Sequence, residues 1–161
     1  MNKKSMAMKR SSTMFLRSAV ILMGLVVLAL CVFALAPAIV SDNAGDYRPL
    51  LIGMCVSALP FFFALYQALK LLSYIDRNKA FSELSAVALG KIKYCGLVIS
   101  VFYTALMPYI YRAAQEDDAP GVIMLGLIIV GTSLVIAIFA GVLQKLLQNV
   151  LEIKSENDLT V

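Results

Sequence analysis

The sequence predicts an all-α membrane protein, a bundle of four transmembrane helices with both termini on the cytoplasmic side. Hydrophobic residues make up 61% of the 161 residues and charged residues only 15%, whereas a soluble domain is about half apolar and about a quarter charged. Four apolar runs alternate with polar connections, and a membrane span takes about 20 helical residues. We therefore expect one membrane domain, residues 1–161, with no separate soluble module.

The predicted spans are residues 15–37, 50–72, 94–111 and 122–143. The first run follows a basic start but is longer than the apolar part of a signal peptide, about 7–15 residues, and is expected to close at Pro37. In the second run, Pro60 predicts a kink, which is either a bend between packed helices or the edge of a cavity. The third run is the shortest and contains Pro108. A polar tail, residues 144–161, is expected to continue as helix.

The largest polar stretch between two apolar runs is residues 73–93. Asn78 or Ser82 is placed to cap a helix there. Apolar residues recur in it at helical spacing: Phe81, Leu84, Ala88 and Ile92. We therefore predict a short amphipathic helix that lies at the membrane surface, between the second and third spans, and runs into the third.

The placement of lysine and arginine predicts the orientation, because such residues accumulate in cytoplasmic segments of membrane proteins. The outer connections carry one basic residue each, Arg48 and Arg112. The other basic residues are concentrated at the amino terminus, the middle loop and the tail, among them Lys3, Lys4, Lys9, Arg10, Arg17, Lys70, Arg77, Lys79, Lys91 and Lys93. This distribution predicts cytoplasmic termini and a cytoplasmic middle loop.

The residue inventory argues against an enzyme. The chain has no histidine, which is the commonest general base and metal ligand. Cys31, Cys55 and Cys95 lie in apolar runs and form no CxxC pair. Charges within the predicted spans are confined to the end turns, at Arg17 and Lys70, and none lies deeper, where it would mark an ion or proton pathway. We expect no catalytic, cofactor or metal site, and we expect the basic inner face to contact lipid headgroups rather than nucleic acid directly.

Small residues four positions apart form three pairs, two in the second run and one in the fourth. Such pairs allow helix backbones to approach closely in lipid. They serve packing within one chain and assembly of a homo-oligomer equally well. The pairs are Gly53 with Ser57, Ala64 with Ala68, and Ala137 with Gly141.

Two stretches of the chain resemble the DUF2975 family of small bacterial membrane proteins. The first comprises Leu71–Ile75, Ala80–Ser82 and Leu89–Tyr94, and the second comprises Phe139–Leu147 and Glu156–Val161. The resemblance runs from the first helix to the end of the chain. It implies a four-helix protein of the bacterial cytoplasmic membrane, often encoded beside a small helix-turn-helix regulator. It brings no catalytic pattern with it.

Two functional hypotheses follow. In the first, the protein binds a cytosolic helix-turn-helix regulator and holds it at the membrane. The expected contacts are Arg77, Lys79, Phe81 and Ser82 in the middle loop, with Asp158 and Leu159 in the tail. In the alternative, it gives protection against antimicrobial peptides or is a small transporter subunit, with a site between the kinked second and third spans and the acidic residues 116–118.

Overall fold

The chain folds into four long helices. The computed structural model describes the backbone of residues 3–40, 48–77, 79–116 and 118–159, and the side chains of residues 13–33, 36, 51–77, 79–116 and 118–157. The helices are α1 (Lys3–Val40), α2 (Arg48–Asp76), α3 (Glu83–Glu116) and α4 (Gly121–Leu159), and the described residues contain no strand. All four are long and apolar enough to cross a membrane. The predicted all-α fold with four spans is confirmed.

Each helix is longer than the span predicted within it. The expected end of the first helix at Pro37 is wrong, because α1 continues to Val40. Prolines are tolerated inside membrane helices, where neighbouring groups satisfy the freed backbone carbonyl. At the other end of the chain, α4 continues to Leu159, so the helical tail is confirmed.

The separate amphipathic helix expected before the third span is not confirmed. Residues 83–92 are the first turns of α3, which runs without interruption for 34 residues from Glu83 to Glu116. One face of these turns is buried rather than laid on a surface, with Ser85 0%, Ala88 2% and Ala86 4% exposed. Of the apolar residues at helical spacing, Ala88 lies in this buried face, whereas Phe81 and Leu84 are 69% and 55% exposed, so packing accounts for only part of the pattern.

Local hydrogen bonds fix both ends of α3. Ser82 caps its start, since the Ser82 carbonyl oxygen accepts from the amides of Ser85 (3.0 Å) and Ala86 (3.2 Å). At its end, Asp118 adopts a left-handed conformation with φ 51°. The Ala119 amide then donates back to the Ala114 carbonyl oxygen at 2.9 Å, which is the bond of a Schellman cap. The chain turns tightly there and enters α4.

The helices pack in a row, in chain order. Close backbone approaches join α1 to α2, α2 to α3 and α3 to α4, and no other pair of helices in the described part of the chain. Adjacent helices are antiparallel, because the starts of α2 and α4 both lie beside the end of α3. A β-carbon added at Gly53 of α2 would meet Leu106 of α3, and one added at Gly126 of α4 would meet Met107 of α3. The row therefore does not close between α1 and α4.

Candidate functional site

The end of the protein that carries the α2–α3 loop (residues 77–82) extends beyond the hydrocarbon core. At about 1.5 Å per residue, the 34 residues of α3 span roughly 51 Å, against a core of about 30 Å. The first turns of α3 carry Glu83, Lys91 and Lys93, and charged groups are costly in hydrocarbon. These turns therefore lie at or beyond the headgroups.

The α4 extension (residues 144–159) lies at the same end. A β-carbon added at Gly90 would lie 2.7 Å from the Gln144 amide nitrogen, and one added at Gly141 would lie 3.3 Å from the Lys93 side chain. Continuing this antiparallel register places Glu83 level with Leu151. The last eight residues of α4 then project about 12 Å beyond the start of α3.

The α2–α3 loop is held from beneath by Ser85. This side chain is fully buried, and its Oγ donates to the Lys79 carbonyl oxygen at 3.2 Å and lies 3.4 Å from Ser82 Oγ. The Lys79 amide donates to the Tyr74 carbonyl oxygen at 2.9 Å, which ties the loop to the end of α2. Phe81 is 69% exposed on this fixed loop. An exposed aromatic ring on a rigid support is a common contact in protein interfaces.

The residues expected to contact a partner fall into two segments. Arg77 and Lys79 are exposed, Phe81 is largely exposed, and Ser82 is half-buried as the cap of α3. Asp158 and Leu159 end α4, and their side chains lie outside the described residues. The fold brings loop and tail to the same end of the protein.

Sequence reasoning missed an apolar stripe on the α4 extension. It consists of three exposed residues: Leu146 (56%), Val150 (45%) and Ile153 (61%). Their i, i+4, i+7 spacing was the available signal, because these positions share one helix face. The stripe adds apolar surface at the same end of the molecule as Phe81.

An ion pair joins α1 to the end of α2. Arg17 Nη2 lies 2.9 Å from Asp76 Oδ2, and the two side chains are 40% and 30% exposed. Arg17 Nε is buried and has no hydrogen-bond partner. In the sequence, Arg17 serves only to predict the orientation, because no pattern there pairs it with Asp76.

A lateral groove of about 570 Å³ opens on one side of the helix row. Its lining comes from all four helices: Val20 to Cys31 on α1, Met54 to Ala68 on α2, Ile92 to Tyr103 on α3, and Ile128 to Ile136 on α4. Ala58 and Phe61, on either side of Pro60, belong to this wall. Pro60 itself is not among the lining residues, so the cavity or hinge considered at this position from the sequence stays a prediction.

Two hydroxyl groups in the groove wall are hydrogen-bonded to backbone carbonyls of the protein itself. The Ser57 hydroxyl donates to the Met54 carbonyl oxygen at 2.7 Å and lies 3.2 Å from the Tyr103 hydroxyl. The Thr132 hydroxyl donates to the Ile128 carbonyl oxygen at 2.7 Å. Such bonds are the usual way to accommodate hydroxyls in apolar helices. The groove therefore presents an apolar surface.

Reactive side chains are sparse in the described part of the chain. No group of three His, Cys, Asp or Glu side chains is placed there to hold a metal ion. A β-carbon added at Gly24 of α1 would lie 3.9 Å from Phe62 of α2, and continuing this antiparallel register places Cys31 level with Cys55. Cys95 is buried in α3. The two candidate sites, the loop end and the lateral groove, are thus surfaces suited to binding.

The fold defines a small membrane protein with four helices that are long and apolar enough to span the bilayer. The chain belongs to the family described as "Protein of unknown function (DUF2975)", whose family model matches residues 38–161. It is similar to the "Uncharacterized membrane protein YoaS" of Bacillus subtilis (strain 168). The two are 54% identical over 161 residues, which cover 96% of this chain and all of that relative. No solved structure matches.

Proposed function

We propose that this protein is a non-enzymatic binding partner of a small cytosolic helix-turn-helix regulator, which it holds at the bacterial cytoplasmic membrane. The observation that carries the proposal is the exposure of Phe81, 69%, on a loop fixed by buried Ser85. In this proposal both termini and the α2–α3 loop face the cytoplasm, as the distribution of lysine and arginine favours. The chain then contacts DNA only through its partner.

The α4 extension supports a docking surface at this end. Its apolar stripe, Leu146, Val150 and Ile153, is exposed, and exposed apolar surface outside the hydrocarbon core favours protein or headgroup contact. Charged residues Glu152 and Lys154 flank the stripe. An apolar centre with a charged rim is the composition expected of a protein-binding surface.

The test is capture of a small helix-turn-helix protein from the host cell, after crosslinking in cells and purification of the tagged protein in mild detergent. Phe81→Ala is expected to reduce capture about tenfold, because truncating a central aromatic contact costs about 1–2 kcal/mol. It is a cleaner variant than Ser82→Ala, which also removes the hydroxyl that lies 3.4 Å from Ser85 Oγ beneath the loop. Phe33→Ala is the matched control, since Phe33 is 81% exposed but lies on α1.

A photo-crosslinking amino acid at position 81 separates contact from indirect effects. The proposal requires a crosslink to the regulator from position 81 and its loss when the chain is truncated after Leu151. Unchanged capture by Phe81→Ala with no crosslink would remove the loop from the proposal. Recovery of the protein without any regulator would remove the regulatory role itself.

Protection against membrane-active peptides, or a role as a small transporter subunit, is the second candidate. The lateral groove favours it, because a cavity of about 570 Å³ open to the bilayer is suited to apolar molecules. A deletion strain is then expected to be more sensitive than its parent to a panel of such peptides. Equal sensitivity would count against this candidate.

A further inference from the structure

The lateral groove lies within the membrane-spanning part of the fold. Its α1 wall, Val20 to Cys31, falls inside the apolar segment Thr13–Phe33. Its α2 wall, Met54 to Ala68, falls inside Leu51–Asp76. Protein interiors are packed as densely as organic crystals, so a gap of this size at bilayer depth is filled by something apolar.

We propose that the lateral groove binds one acyl chain of a membrane phospholipid. The chemistry of the wall selects an apolar occupant, since the hydroxyls of Ser57 and Thr132 already bond to backbone carbonyls. A polar ligand would find few free partners there and would lose its own hydration. A hydrocarbon chain has no hydration to lose, because it moves from lipid into an equally apolar site.

The length of the groove fits the same occupant. From Val20 to Cys31 the α1 wall rises about 16 Å at about 1.5 Å per residue. One leaflet of hydrocarbon is about 15 Å thick, half of the core of about 30 Å. The groove is therefore about as long as one extended acyl chain.

The volume of the groove suits the same occupant. The groove holds about 570 Å³, which lies in the range of small-molecule sites, about 300–1,000 Å³.

The test uses native mass spectrometry of the whole protein. The chain is reconstituted in vesicles of one synthetic phosphatidylglycerol, extracted in mild detergent, and examined for lipid that stays bound as collision energy rises. Ala64 lines the groove and is half-buried, so Ala64→Phe fills it. Ala29 is exposed on α1, so Ala29→Phe adds the same ring outside the groove. Far-UV circular dichroism confirms that each variant is folded, and Ala68→Leu replaces Ala64→Phe if the latter is not.

The wild type and Ala29→Phe are expected to retain one phospholipid per chain. Ala64→Phe is expected to lower that retained fraction about tenfold, the effect of about 1.4 kcal/mol of overpacking. Equal retention by all three proteins would show loosely associated lipid only and would overturn the proposal. A lipid-free dimer, or a bound non-lipid compound carried over from the host membrane, would overturn it as well.

Discussion

The backbones of α3 and α4 approach each other closely at Gly96 of α3, and this approach yields the sharpest stability prediction. A β-carbon added there would lie 2.9 Å from the Ser133 carbonyl oxygen and 3.1 Å from the Ala137 β-carbon of α4. Ordinary contacts of a β-carbon are 3.4–4 Å. The obstructing atoms belong to the α4 backbone or its β-carbon, so no side-chain rotation relieves them. Gly96→Ala must therefore push α3 and α4 apart.

The expected change in the free energy of unfolding follows from two opposing contributions. Overpacking a close contact costs about 1–3 kcal/mol, while alanine gains about 1 kcal/mol over glycine in helix propensity. Gly131 of α4 supplies the reference, since a β-carbon added there meets nothing within 4 Å. Gly131→Ala therefore reports the propensity gain alone. We expect Gly96→Ala to be less stable than Gly131→Ala by about 1–3 kcal/mol.

The assay is equilibrium unfolding of both variants in one detergent, titrated with sodium dodecyl sulfate and followed by far-UV circular dichroism. Gly90→Ala provides a graded case, because a β-carbon there meets the flexible Gln144 amide at 2.7 Å, and that side chain can rotate. Its free energy of unfolding is expected between those of the other two variants. Equal stability of Gly96→Ala and Gly131→Ala would refute the close approach of α3 and α4.

Three further predictions concern α1 and the orientation. A double-mutant cycle on Arg17 and Asp76 should give a coupling of about 0.5–1 kcal/mol that falls as salt rises, since the pair is partly exposed; a salt-independent result would contradict the pairing. Mild oxidation should form a disulfide between Cys31 and Cys55 within one chain, visible as a gel-mobility shift, and its absence would contradict the α1–α2 alignment. A fluorescent protein fused to the carboxyl terminus should fold in the cytoplasm, and alkaline phosphatase inserted between α3 and α4 should be active; the opposite pattern would reverse the orientation.

The sequence predicts the number and position of the spans well, because an apolar run of about 20 residues has few stable arrangements other than a membrane-spanning helix. Helix ends were predicted less well, since they depend on local hydrogen bonds. The start of α3 is fixed by Ser82, a residue the sequence named only as one of two candidate caps. The end of α1 lies beyond Pro37, because a membrane helix tolerates a proline that would end a helix in water.

Packing partners show a clearer limit of sequence reasoning. In two of the three small-residue pairs, a member contacts a neighbouring helix of the same chain. Gly53 faces Leu106 of α3, and Ala137 faces Gly96 of α3. The third pair, Ala64 with Ala68, lines the lateral groove instead. The three pairs have the same spacing, so their different roles come from the row arrangement of the helices, which the sequence pattern does not encode.

Side-chain burial differs between the part of the protein that lies in water and the part that lies in lipid. The most buried residue, Ser85, and its neighbours Ala86 and Ala88 lie in the first turns of α3, where water makes apolar burial favourable. Within the bilayer that driving force between helices is absent, and none of the described α1 residues 13–33 is buried. The loop end is thus the rigid part of the fold, suited to present Phe81 to a protein. The lateral groove is bounded on one side by α1, which has a single helix neighbour, so α1 is the element able to move when an acyl chain enters.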